Sequence, residues 1–181
     1  MMMALDDSNA ENREWETDSN AKRSAVVSAC GMFRYRLGRQ WQASAPTLCF
    51  VMLNPSTADD KLDDATIRKC VGFAERLGFG GLDVVNLFAY RATKPADLKS
   101  AGYLVGPHND GWIDIAARSA RANGGEVVVA WGANARGLAR TRDVLSLLDA
   151  AGVRPMVLDR CSDGTPAHPL MLPYSCTLSV L

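Results

Sequence analysis

Two asparagines lie where long apolar runs end. Asn54 follows the run 48–53, and Asn86 falls inside a second run, 82–87. A polar amide at the opening of a buried strand needs hydrogen-bond partners, so both side chains are candidates for a site. Asn54 can orient a water molecule, and Asn86 can read a nucleobase edge because an amide carries both a donor and an acceptor. Alternatively, Asn54 only caps the end of its strand.

The loop after Asn54 reads NPSTADDKLDD and is rich in hydroxyl and carboxylate groups. Ser56 and Thr57 offer hydroxyls and backbone N–H groups that can hold a phosphate or a base edge. Asp59 or Asp60 can add negative charge beside a reacting centre or help to deprotonate a water. The aspartates at positions 63 and 64 can instead cap the helix that follows.

The loop after the second run reads NLFAYRAT and mixes aromatic with phosphate-binding side chains. Phe88 and Tyr90 can stack on a base. Arg91 and Thr93 can hold a phosphate. The alternative for the two aromatic rings is that they pack underneath the loop.

His168 is one of two histidines and lies in the proline-stiffened segment DGTPAHPL. A histidine there can donate a hydrogen bond to a developing anion. Its alternative is an ordinary surface histidine. The second histidine, His108, follows Gly106-Pro107 at the start of a helix, and we expect it to be structural or peripheral.

The elements that must position these residues alternate between strands and helices. Apolar runs that are hydrophobic on both faces predict buried strands at 48–53, 82–87, 126–130 and 154–158. Helices are predicted at 66–77, 94–100, 109–122 and 134–148. Alternation of this kind predicts an α/β fold with a parallel sheet between two layers of helices. Ligands of such sheets bind beyond the carboxyl ends of the strands, where the candidate loops lie.

Two further segments complete the predicted domain organisation. Residues 1–24 are polar and mixed in charge, and we expect a flexible extension before a single domain at 25–181. The alternation in MFRYRLGRQW, residues 32–41, predicts a β-hairpin that turns at Leu37-Gly38 and directs Arg34, Arg36 and Arg39 outward.

Charge and composition restrict the class of protein. The chain has 181 residues, of which 48% are hydrophobic, and its 20 basic side chains balance 20 acidic ones. Zero net charge counts against nonspecific coating of nucleic acid, which depends on Lys and Arg. No apolar run is long enough for a membrane span, and the short apolar start meets Asp6 and Asp7, unlike a signal peptide. We expect a cytoplasmic protein, monomeric, with no membrane partner.

The five cysteines do not form a recognisable framework. Their number is odd, and no two form a CxxC pair, so neither disulfides nor a zinc site is expected. We expect reduced thiols and no metal or other cofactor. The alternative is that four scattered cysteines converge on an iron–sulfur cluster.

Four short segments, in this order, resemble motifs of the uracil-DNA glycosylase superfamily. LNPS (53–56) is similar to the first motif of the mismatch-specific branch, and VVNLFAYRAT (84–93) to its second-strand segment. VVVAWGANA (127–135) resembles the superfamily's strand that ends in Trp-Gly. AHPLML (167–172) resembles its His-Pro-Ser-Pro-Leu loop. The resemblance implies a three-layer sandwich with a central four-stranded parallel sheet, to which the N-terminal hairpin is added.

The resemblance also implies a role for each matching residue. Asn54 would position the attacking water, Asn86 would read the base, and His168 would hydrogen-bond the departing base. Leu170 would fill the gap left in the base stack. Ser56 replaces the mismatch branch's glycine, and Asn-Pro-Ser replaces the uracil enzymes' Asp-Pro-Tyr, so a modified or bulky base is expected rather than uracil.

A closer resemblance is to a group of bacterial and phage proteins that is known as a domain of unknown function. The shared runs include LNPSTAD, NLFAYRAT, WG and HPL, and they cover roughly residues 30–172. With DNA as partner, the predicted function is base excision by a monofunctional DNA glycosylase, in repair or anti-phage defence. The alternatives are a hydrolase of nucleotides or nucleosides and a noncatalytic nucleic-acid-binding module.

Overall fold

One mixed β-sheet organises the part of the chain that the structure describes. The computed structural model describes residues 10–16, 22–56 and 63–181. Its eight strands are ordered β1-β2-β3-β5-β4-β6-β7-β8 across the sheet. The strands are β1 (Ala10–Glu16), β2 (Lys22–Ser28), β3 (Arg34–Gln40), β4 (Thr47–Met52), β5 (Gly81–Asn86), β6 (Glu126–Val129), β7 (Met156–Val157) and β8 (Ser179–Val180).

The direction of the strands corrects the predicted parallel sheet. The neighbours β5, β4, β6 and β7 run parallel, as expected for strands joined by helices. They do not form a separate sheet, because β3 pairs antiparallel with β5 and β8 pairs antiparallel with β7. The α/β class is therefore confirmed, but the sheet is mixed and wider than predicted.

The predicted hairpin turn at Leu37-Gly38 is wrong, although an N-terminal antiparallel pair is present between β2 and β3. Residues 34–40 form the single strand β3, which lies between β2 and β5 and runs antiparallel to both. Gly38 lies in the middle of this strand and faces Ser24, whose Oγ would be 2.5 Å from an added Cβ. The glycine therefore allows β2 to approach closely and does not form a turn.

Part of the predicted extension is ordered as sheet. Of residues 1–24, positions 10–16 form β1 and positions 22–24 begin β2. Positions 1–9 and 17–21 lie outside the described residues.

Helices cover both faces of the sheet. The helices are α1 (Ala65–Arg76), α2 (Pro95–Ser100), α3 (Asn109–Ala122) and α4 (Arg140–Ala150). Phe50 on β4 points to a core cluster with α1, whereas its neighbour Val51 points to a cluster with α3 and α4. Because both faces are buried, β4 reads as a continuous apolar run. No helix of the described chain is long and apolar enough to cross a membrane.

Helix boundaries mostly follow the local sequence signals. Asp64 caps α1, since its Oδ1 accepts a hydrogen bond from the Ile67 backbone N–H at 2.8 Å. The predicted start of the last helix at residue 134 is too early. Ala133–Ala135 forms a separate 3₁₀ turn, and Gly137, with φ of +72°, interrupts the chain before α4 begins.

Candidate functional site

A cavity of about 580 Å³ lies beyond the carboxyl ends of β4, β5 and β6, next to the N-terminal turn of α1. Its volume is in the range of small-molecule sites, roughly 300–1,000 Å³. Five of the residues selected from the sequence line it, although they come from three distant parts of the chain. These residues are Asn54, Ser56, Asn86, Thr93 and His168.

Asn54 is held by two backbone carbonyls. Its side-chain Nδ2 donates to the oxygens of Pro55, at 3.0 Å, and Ala92, at 2.8 Å. These bonds join the loop after β4 to the loop after β5. Because they use both amide hydrogens, the carbonyl Oδ1 is the atom of Asn54 that can accept a hydrogen bond from a water or ligand.

Asn86 is buried in the cavity wall, with 1% of its surface exposed. Its side-chain Nδ2 has no hydrogen-bond partner among the described residues. The backbone at this point is fixed from the other side, because Asn109 on α3 donates to the carbonyl oxygens of Asn86, at 2.9 Å, and Leu87, at 3.1 Å. A buried donor without a partner is costly, and a ligand in the cavity would satisfy it.

His168 faces the cavity with a defined tautomer. Its Nδ1 accepts a hydrogen bond from the Leu170 backbone N–H at 3.3 Å, so the ring proton of the neutral form is on Nε2. Burial lowers the pKa of His168 below its ordinary value of 6.5, and the negative charge of Asp64 opposes part of this shift. Near neutral pH, His168 is therefore an uncharged donor.

The corner after β6 sets the position of His168. Gly132 has φ of +76°, and its backbone N–H donates to the Pro166 carbonyl at 3.0 Å. A Cβ at Gly132 would be 2.9 Å from the Cβ of His168. Glycine at this corner therefore lets the last loop lie directly against it.

Ser56 and Asp64 connect the first loop to α1. The Ser56 hydroxyl donates to Asp64 Oδ2 at 2.8 Å, while Asp64 Oδ1 caps the helix. The Ser56 hydroxyl is therefore engaged with Asp64 in this structure, and its role as a phosphate donor stays a prediction. Three predicted residues of this loop, Thr57, Asp59 and Asp60, lie outside the described residues.

The predicted base-stacking residues do not line the cavity, and this prediction is wrong. Phe88 is 3% exposed and packs against Tyr103 with ring centroids 5.3 Å apart. Tyr90 packs edge-to-face on Phe33 with centroids 6.3 Å apart. Both rings support the loop from below, which was the alternative interpretation.

Two residues predicted to contact DNA lie near the cavity but not in its wall. Arg91 Nη1 donates to the Gly31 carbonyl at 3.2 Å and is thereby tied to the segment before β3. Leu170 is 39% exposed and follows His168 on a 3₁₀ turn, Pro169–Met171, in which Met171 is 87% exposed. The apolar tip of this turn therefore lies beside the cavity-lining histidine.

A family model described as "Protein of unknown function (DUF1643)" matches residues 34–170, more than half of the chain. The chain belongs to the DUF1643 family. No curated protein matches it, and neither does any solved structure. The similarity to uracil-DNA glycosylases rests on the short motifs and stays a prediction.

The DUF1643 segment contains every described residue that lines the cavity, from Arg34 to His168. Many of these residues were not among the predicted site residues, and Trp131 and Arg34 are the two largest of them. Trp131 is 4% exposed and lines the cavity at the corner after β6, within the segment that resembles the glycosylases' Trp-Gly strand end. Arg34 is 5% exposed and lines it too, contrary to the prediction that this arginine points outward.

The two other arginines of β3 are not a solvated basic face either. Arg36 makes a two-pronged ion pair with Asp83, at 3.0 and 2.5 Å. Arg39 is 5% exposed and donates to Asp63 Oδ1 from both Nε and Nη2, at 3.0 and 2.9 Å. These bonds fix β3 to β5 and to the start of α1.

The cysteines of this DUF1643 protein are dispersed in space. All five are free thiols, and Cys49 and Cys70 are buried in the core on opposite faces of the sheet. Burial raises the pKa of both buried thiols, so they stay protonated. No group of three or more potential metal ligands occurs among the described residues.

Proposed function

We propose that this DUF1643 protein is a DNA glycosylase. In this proposal it flips a modified or mismatched base out of DNA and hydrolyses the N-glycosidic bond, leaving an abasic site in repair or anti-phage defence. The observation that supports it is the convergence of Asn54, Asn86 and His168 on one cavity large enough for a nucleoside. These are the three residues for which the motifs imply water positioning, base reading and leaving-group stabilisation.

The proposed reaction replaces the bond from the sugar C1′ to the base nitrogen with a bond from C1′ to a water oxygen. The base leaves with the electron pair of the broken bond and is then protonated. Asn54 Oδ1 accepts a hydrogen bond from the attacking water and so places it beside C1′. An amide is a poor base, so the contribution of Asn54 is positioning, and the water loses its proton to solvent after attack.

His168 is suited to the leaving group. The Leu170 N–H donates to Nδ1, which leaves the Nε2–H on the other side of the ring as the donor. The neutral ring can donate this hydrogen bond to the departing base without transferring its proton. A positioned donor of this kind contributes on the order of 10²-fold or more to the rate. The amide of Asn86, whose buried Nδ2 needs an acceptor, would read the base edge.

Formation of abasic sites tests the proposal. Genomic DNAs that carry uracil, mismatches or natural hypermodified pyrimidines are incubated with the protein and then cleaved with alkali. We expect strand breaks on one substrate with the wild type, a loss of about 10²-fold or more with Asn54→Ala, and no loss with Asn123→Ala. Asn123 is an exposed asparagine at the end of α3 and is the matched control. Absence of breaks on every DNA would contradict the proposal.

Hydrolysis of a free nucleotide or nucleoside is the second candidate, and the zero net charge favours it over duplex binding. Electrophoretic mobility of the protein with duplex DNA, single-stranded DNA and no DNA separates the two. A shift with DNA supports the glycosylase. Turnover of nucleosides without any shift supports the second candidate.

A further inference from the structure

A β-bulge directs Arg34 into the cavity. Val26 on β2 pairs with Arg36, but the next residue, Val27, pairs with Arg34, so Tyr35 is an extra residue on β3. Residues two apart on a regular strand share a face, and one extra residue moves the next side chain to the opposite face. Arg36 accordingly pairs with Asp83 beside α3, whereas Arg34 lies on the face of α1 with Val84 and Asn86.

The wall around Arg34 is buried and contains side chains that carry hydrogen-bond donors. Arg34 on β3 and Val84 and Asn86 on the adjacent strand β5 line the cavity and are at most 5% exposed, and we call these three residues the buried wall. Arg34 is the only cationic side chain among the described lining residues near neutral pH, because the pKa of His168 is lowered and its ring is uncharged.

We infer that the buried wall binds an oxyanion of the ligand, with Arg34 as the residue that selects for it. A guanidinium presents five N–H donors in a fixed fork, and its strongest contacts are with groups that have two acceptor oxygens and negative charge. The amide Nδ2 of Asn86 adds a donor at the same wall. This inference rests on the proposed placement of a base or nucleotide in the cavity and names the substrate class more narrowly.

Two ligands share this chemistry. One is a base that carries an acidic substituent, such as a carboxylate, on the edge away from the sugar. The other is a nucleotide whose phosphate reaches the buried wall. Under the proposed glycosylase function the base enters the cavity first, so the substituted base is the expected source.

Binding of small probes tests the inference without requiring turnover. Calorimetry compares 5-carboxyuracil with uracil-5-carboxamide, which has the same shape without the charge, and deoxyuridine monophosphate with deoxyuridine. We expect 5-carboxyuracil to bind at least about tenfold more tightly than the carboxamide. A tenfold preference in the nucleotide pair instead supports the oxyanion site and identifies a phosphate as its ligand.

Variants of Arg34 decide whether this residue causes the preference. Arg34→Met removes the charge. Arg34→Gln also removes the charge but keeps a polar group, and it replaces the methionine variant if that variant fails to fold. Arg34→Lys keeps a positive charge but lacks the planar fork of donors. We expect the preference to vanish in the first two and to fall severalfold in the third. Arg142→Met, on the exposed face of α4, is the matched control and should leave it unchanged.

The inference is overturned if the wild type binds both members of each pair equally or binds none of them, or if Arg34→Gln retains the preference. Failure of the glycosylase proposal gives a different result. An Arg34-dependent preference without abasic-site formation on any DNA keeps the oxyanion site and removes the glycosylase. If abasic sites form at an uncharged base and the protein shows no preference for the charged probes, the oxyanion site is rejected and the glycosylase proposal is kept.

Discussion

The amide nitrogen of Asn86 is buried and has no hydrogen-bond partner among the described residues. Such a donor costs about 1–3 kcal/mol of stability. Asn86→Leu is therefore expected to raise the free energy of unfolding by about 1 kcal/mol, while it lowers ligand binding or activity at least tenfold. Urea unfolding and a binding assay measure the two effects.

Asn109→Leu is the control for that prediction, because Asn109 is also buried but holds two backbone carbonyls. We expect it to lower the free energy of unfolding by about 1–3 kcal/mol, since both carbonyls lose their donor. Equal destabilisation by the two substitutions would show that Asn86 supports the fold and is not reserved for a ligand.

The pH dependence of activity follows from His168. Burial lowers the pKa of His168 below 6.5, so the folded protein binds a proton at this ring more weakly than the unfolded chain does. The neutral ring contributes stability that is present above pH 6.5 and is lost as pH falls through the lower pKa of the folded protein. Protonation also removes the acceptor for the Leu170 N–H.

We therefore expect the rate to be constant above pH 6.5 and to fall on the acid side of that value. The acid limb should be absent in His168→Gln, which keeps a donor but does not titrate. Initial rates from pH 4.5 to 8 provide the test. A limb that begins above pH 7, or one that persists in the glutamine variant, would assign the titration to another group.

At the scale of elements, the corner after β6 and the last loop act together. Gly132 combines a positive φ with close contact to His168. Gly132→Ala is expected to lower the free energy of unfolding by about 1–3 kcal/mol and the rate by on the order of 10²-fold, because the histidine must move. Thermal unfolding and initial rates measure the two effects.

Gly137→Ala separates backbone strain from displacement of the histidine. Gly137 also has a positive φ, of +72°, but an added Cβ would have nothing within 4 Å. We expect a similar loss of stability with full activity. If both variants lost activity equally, the contact between Gly132 and His168 would not matter for the site.

The sequence predicted the elements whose residues are buried on both faces. The runs around Phe50, Val84 and Val128 were identified as buried strands because they are apolar on both faces, and as parallel because helices join them. The caps of α1 were readable as well, since Asp64 and Gly78 have local signatures. The start of α4 was missed because the alanines, leucine and arginine of residues 134–139 are good helix formers and only Gly137 interrupts them.

The part of the site contributed by β3 was not predictable from alternation. A bulge at Tyr35 changes which face Arg34 occupies, and nothing in the local pattern distinguishes Arg34 from Arg36. Gly38 was interpreted as a turn residue. In the structure a side chain is excluded at this position by Ser24, which lies on another strand and is not visible in the local sequence. Long-range contacts of this kind leave no periodic signal.

At the scale of the whole molecule, the balance of charge limits how the protein can bind DNA. With 20 basic and 20 acidic side chains, we expect only a few phosphate contacts, on the order of 2–4. The logarithm of the DNA association constant should then fall with the logarithm of salt concentration with a slope of roughly −2 to −4. Fluorescence anisotropy of labelled DNA, measured at salt concentrations from about 50 to about 300 mM, gives this slope. A slope near −10 would require an extended basic surface and would contradict the picture of a site that handles one nucleotide.

The most direct test of the account is mass spectrometry of the products released from DNA. DNA that carries the susceptible base is incubated with the wild type and with Asn54→Ala. A cavity in which Asn54 places a water predicts release of the free base and formation of an abasic site, both reduced by on the order of 10²-fold in the variant. Release of a nucleoside or nucleotide instead of a free base, or no release from any DNA, would contradict the assignment of this cavity to base excision.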